Sequence, residues 1–188
     1  MWVLVLGLVL FLGPHSVRIV APGLRDGFVA SRGEGPWRGL YSLVSLAGFA
    51  LIVWGYGMAR LEAPLLYEPP AWMKHINMAL MFFSFVALAA SQFPPGRIKA
   101  ALRHPMLVAV KIWAFGHLLA NGDLAALLLF GAFLAWAVLD RISLKRRGDM
   151  GPAPGPAKWD LVAIVVGAVL YALFVWKLHV WLIGVPVA

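Results

Sequence analysis

Six stretches, at about 1–21, 39–59, 72–93, 105–120, 123–140 and 161–182, carry little charge and are long enough, or nearly so, to cross lipid as helices. A bilayer core of about 30 Å takes roughly 20 apolar residues of helix. Hydrophobic residues make up 62% of the 188 and charged residues only 13%, with a mean hydropathy of +0.85. A soluble domain of this length has no interior large enough to hide so much apolar surface. The expectation is an all-α fold: a polytopic membrane helical bundle of about six transmembrane helices, one domain over residues 1–188.

Runs four and five are short. Between them stands Asn121-Gly122-Asp123, a turn sequence whose Asp can cap the next helix. A tight helical hairpin is expected there. The first run lacks the positive leader and small-residue cleavage site of a signal peptide, so it is expected to be a true span. The Gly- and Pro-rich stretch 148–156 predicts a flexible linker between spans five and six.

Counting cations orients the spans. Arg18, Arg25, Arg32 and Arg38 belong to the first loop or its edge, and Arg97, Lys99 and Arg103 to the third. Arg141, Lys145, Arg146, Arg147 and Lys158 belong to the fifth. That makes twelve on one face, against Arg60 and Lys74 on the other. The split predicts cytoplasmic loops one, three and five, periplasmic termini, and a multi-pass protein of the bacterial inner membrane. It also accounts for the basic excess without nucleic acid, since no basic loop is interleaved with stacking aromatics.

The chain has no cysteine. Disulfides, iron–sulfur clusters and thiolate ligands are thereby excluded. Ionisable residues inside spans are costly and mark functional sites, which directs attention to the five histidines. His15 and His104 lie toward the cytoplasmic face; His75, His117 and His179 lie toward the other. His104 and His117 are thirteen residues apart on one helix, about 20 Å, and point about 140° apart, so they cannot share an ion. Trp113, His117 and Asn121 share one face at i, i+4 spacing. Without an acidic cluster or a zinc motif, two histidines from different helices walled by aromatics would suit the axial positions of a b-type haem. A carbonyl-bonded structural imidazole is the plain alternative for each.

Several segments resemble the NnrU family. They are Gly-Leu-Val-Leu-Phe-Leu-Gly-Pro-His15-Ser16-Val-Arg18, Gly33-Glu-Gly-Pro-Trp-Arg-Gly-Leu-Tyr-Ser-Leu-Val-Ser45 and Pro95-Gly-Arg-Ile-Lys-Ala-Ala-Leu-Arg103-His104-Pro105-Met-Leu. Lys111-Ile-Trp-Ala-Phe-Gly-His117-Leu-Leu-Ala-Asn-Gly-Asp123 and Leu178-His179-Val-Trp-Leu-Ile-Gly-Val-Pro186 complete the set. The resemblance implies an integral membrane protein linked to nitrite and nitric oxide reduction in denitrifying bacteria. More distantly the chain is similar to the 15-cis-ζ-carotene isomerases, haem b enzymes with histidine ligands. Carried over, that likeness makes His15, followed by Ser16, and His117 the metal ligands. The isomerase motif has a cysteine three residues before the second histidine; Ala114 stands here, so a thiolate-switching mechanism does not transfer.

Depth gives a different ranking. His15 and His117 lie roughly 10 Å apart along the membrane normal if their helices run straight. A kink at Gly13-Pro14 would reduce that. By depth alone His75, His117 and His179 cluster better, and His75 stands as the substitute cofactor ligand. The functional expectation is therefore a haem-binding membrane protein with a small-molecule, lipidic or redox partner. Two other classes compete with it. One is a non-catalytic assembly factor for denitrification enzymes. The other is a membrane methyltransferase, suggested by Arg103-His104-Pro105 but lacking the C-terminal cytosolic arm such enzymes add.

Overall fold

The computed structural model describes residues 1–187. The chain forms α1 (Trp2–Val20), α2 (Pro22–Arg32), α3 (Glu34–Glu62), α4 (Trp72–Gln92), α5 (Arg97–Leu102), α6 (Pro105–Ala120), α7 (Leu124–Arg146), α8 (Lys158–Leu173) and α9 (His179–Ile183). A π-helical segment, Phe174–Leu178, joins α8 to α9. Five helical stretches are long and apolar enough to cross a membrane, and α6 is a shorter apolar helix beside them. This is the expected all-α bundle. Many large apolar side chains face outward, among them Trp2, Leu43, Leu46 and Trp176, as surfaces meant for lipid do.

The helices do not pack in chain order. α1 pairs with α3 and also meets α7; α7 meets α6, α6 meets α4, and α4 meets α8. The α1–α3 seam is made of glycine. A Cβ added to Gly7 would stand 2.6 Å from the backbone nitrogen of Ile52, and one on Gly48 2.5 Å from that of Phe11. Small residues let two backbones approach where lipid offers no competing hydrophobic drive.

The turn before α7 follows the sequence expectation. Asp123 Oδ1 accepts from the Ala126 N–H at 2.8 Å and caps the helix. Segment 63–67 lies antiparallel across this turn, bridging Leu65 to Asp123, with the Leu66 N–H donating to the Gly122 carbonyl at 2.8 Å. Loops one, three and five meet at the other end: Arg147 Nη1 donates to the Arg18 carbonyl at 2.7 Å, and Asp160 accepts from the backbone of Arg97 and Ile98. The twelve loop cations therefore gather at one end of the bundle, the basic end.

Two elements go beyond the sequence reading. The first loop contains α2, opened by Pro22 at its first turn and tied to α3 through Arg25 and Glu34 at 3.8 Å. The last span is interrupted by the π segment.

Candidate functional site

At the end away from the basic loops, α3, α4, α6, α7 and the last span enclose a cavity of about 340 Å³, within the range of small-molecule sites. α6 contributes Trp113, His117 and Asn121, the face its i, i+4 spacing defines. The Nδ1–H of His117 donates to the Trp113 carbonyl at 2.8 Å. A carbonyl only accepts, so the proton is on Nδ1 and Nε2 keeps its lone pair. Metal-ligating histidines are usually oriented by such a bond from the other ring nitrogen. Phe130 of α7 stacks on the imidazole, centroids 4.6 Å apart and planes at 22°, and Trp113 flanks it at 5.6 Å.

The rest of the wall is aromatic and aliphatic, with Phe85, Tyr171 and Phe174 adding rings. α4 supplies Lys74, Asn77, Met78 and Met81, at i, i+3, i+4 and i+7, and α3 supplies Tyr56 and Arg60. Arg60 Nε and Asn77 Oδ1 are buried with no hydrogen-bond partner among the described residues. Buried polar atoms left unpaired are rare and call for an explanation.

His179 reaches the same cavity from the last span. Its own N–H bonds five residues back, to the Phe174 carbonyl, and Phe174, Val175 and His179 all line the wall. π-turns of this kind recur at functional sites. The His179 Nδ1–H donates to the Val185 carbonyl at 2.7 Å. That bond folds Val185, Pro186 and Val187 against the cavity and leaves the His179 Nε2 lone pair free.

The other histidines lie elsewhere. His15 is one turn beyond Phe11 on α1; its Nδ1–H donates to the Phe11 carbonyl at 2.6 Å, and its ring stacks on Phe11 at 4.3 Å with the Trp136 edge at 5.8 Å. From Phe11 the ring contacts run to Phe133 at 5.6 Å and on to Trp113 at 5.5 Å, one turn short of His117. One turn down to Phe11 and one up from Trp113 put the two histidines about 11 Å apart in depth. His15 does not line the cavity. His75 is exposed, 100° around α4 from Lys74 and off the stripe that lines the wall. His104 belongs to the basic end, its Nε2 donating to the Asp149 carbonyl at 3.2 Å with the Asp149 carboxylate at 3.6 Å.

Beside it Arg103 has φ +62° and ψ −59°, and the His104 N–H bonds back to Leu102 at 2.7 Å. This is a strained γ-turn. The chain's own linker covers it, since Gly151 packs against the Arg103 backbone.

The sequence reading did not single out Arg60, Lys74 or Asn77. A signal for two of them was present. Arg60 and Lys74 are the two cations assigned to the sparsely charged face, and both line the cavity.

The chain matches the sequence model of the family described as NnrU protein over residues 3–187, a span that takes in the whole cavity and all five histidines. No curated protein and no solved structure matches it significantly. With the match covering almost the full length and the bundle helical throughout, the chain is a membrane protein of the NnrU family.

Proposed function

We propose that this chain binds haem b in the cavity opposite the basic end, where His117 would hold its iron. The observation that carries the reading is the donor set. Two imidazoles and, among the described residues, no carboxylate line the cavity, and among the same residues no group of three or more His, Cys, Asp or Glu could hold a bare ion. Zinc or a di-iron centre needs more protein ligands than that. A porphyrin brings four equatorial nitrogens of its own and asks only for axial ones.

The remaining wall fits the same group. Trp113, Phe130 and Phe85 offer flat apolar faces, while Arg60 and Lys74 match the charge of two propionates. Arg60 Nε, buried and unpartnered, would gain an acceptor. When bound, the haem would supply one-electron or small-ligand chemistry. His117 would hold it, the rings would exclude water, and the cations would orient it. The resemblance to proteins linked to nitrite and nitric oxide reduction supports a denitrification setting. The more distant likeness to the carotene isomerases supports redox or isomerase-like chemistry, without a thiolate switch because Ala114 stands in place of the cysteine.

Purified full-length protein should carry haem b at about one per chain with a Soret band, and His117→Ala should lose it. Protein that stays colourless after expression with added haem precursor would overturn the reading. His15, which the resemblance pairs with His117, belongs in the same variant series.

A further inference from the structure

The geometry points to His179, not His15, as the second residue that would hold the iron of that haem; the inference rests on the haem reading and extends it. Three features carry it. His117 and His179 line one cavity, while His15 lies two helical layers away behind Phe11 and Phe133. Each of the two cavity histidines spends its Nδ1–H on a backbone carbonyl, at 2.8 Å for His117 and 2.7 Å for His179. Both therefore present the Nε2 lone pair, the tautomer a metal requires.

The third feature is the backbone under His179. The five-residue bond to Phe174 adds a residue to that turn, and everything after it is rotated relative to a continuous α-helix. An extra residue in a helix weakens its hydrogen bonding and persists where something specific needs the re-aimed side chain. Among the side chains beyond the π segment, His179 lines the cavity and is the one that can ligate. Because α6 and the last span both reach the cavity, iron held by His117 and His179 would tie them together. That would also order the 184–187 tail through the Val185 bond.

The test uses full-length protein in detergent, with haem counted as the pyridine complex and spin state read from the reduced α-band and electron paramagnetic resonance. His179→Ala should keep its haem, lose the sharp low-spin α-band, and recover it when free imidazole is added. Rescue by imidazole separates a lost ligand from a lost Val185 hydrogen bond, which imidazole in solution cannot restore. His15→Ala should stay low-spin. The inference is overturned if His179→Ala remains low-spin, or if its altered spectrum does not respond to imidazole. It is equally overturned if His15→Ala is the variant that turns high-spin and is rescued. Each of these results leaves haem binding standing, whereas wild-type protein without haem overturns both readings.

Discussion

Gly55 of α3 meets Leu4 of α1 backbone to backbone: a Cβ on Gly55 would stand 2.8 Å from the Leu4 Cα. Gly48 repeats the contact two turns away, at 2.9 Å from the Phe11 Cα. No flexible side chain can yield at either place, so the helices must separate. Gly55→Ala and Gly48→Ala should each cost about 1–3 kcal/mol, the range for overpacking. Gly57, with nothing within 4 Å, is the control; Gly57→Ala should be neutral or slightly stabilising. Thermal unfolding in detergent distinguishes them, and equal melting of Gly55→Ala and Gly57→Ala would refute the close seam.

Asp160 caps a helix it does not belong to. Its carboxylate accepts from the Arg97 N–H at 3.0 Å and the Ile98 N–H at 2.9 Å, satisfying the start of α5 from the first turn of α8. Asp160→Ala should cost about 1–2 kcal/mol, as lost caps do. The damage should be local, with faster amide exchange over residues 96–102. Asp160→Asn, which keeps one acceptor oxygen, should fall between the two.

Tyr67 supplies a pH dependence outside the spans. Its ring is exposed, but its hydroxyl donates to the Leu118 and Asn121 carbonyls. Desolvation first, and then the Asp123 carboxylate, push the phenol above its ordinary range. The folded state thus holds this proton more tightly than the unfolded chain does. Its contribution to stability is complete below about pH 10 and declines as pH rises through the folded-state value. Tyr67→Phe should remove that alkaline component and cost about 1 kcal/mol at neutral pH. Melting curves from pH 8 to pH 11 check both. A wild type and variant that lose stability in parallel above pH 10 would count against the assignment.

Arg60 and Lys74 should matter for the acidic edge of the cofactor and not for its apolar body. Arg60→Gln should weaken haem binding about tenfold or more, the scale of one charge-assisted hydrogen bond. Its affinity for haem dimethyl ester, which has no carboxylates, should be nearly that of wild type. Equal losses for both ligands would mean that Arg60 only shapes the wall.

Twelve cations at the basic end predict that this end faces the cytoplasm. A phosphatase joined after Ala188 should then be active in the periplasm, and a fluorescent cytosolic reporter at the same point should be dark. The reverse pattern would invert the topology.

Local chemistry made much of this protein legible from sequence. Apolar run length marked the spans, Asp123 marked the start of α7, and Gly148 to Pro156 marked the linker; each signal acts on its own few residues. The i, i+4 spacing put Trp113, His117 and Asn121 on one face. The sequence could not say which helices become neighbours. In a membrane bundle the lipid-facing and buried faces are both apolar, so hydrophobic periodicity carries little rotational information. Only the tertiary structure decided that Arg60 and Lys74 share a cavity, that Asp160 caps α5, and that a π-turn brings His179 rather than His75 or His15 to the cavity of His117. Those relations join residues up to 119 positions apart, as from Arg60 to His179. They depend on how whole helices pack and rotate, which no local pattern in the chain encodes.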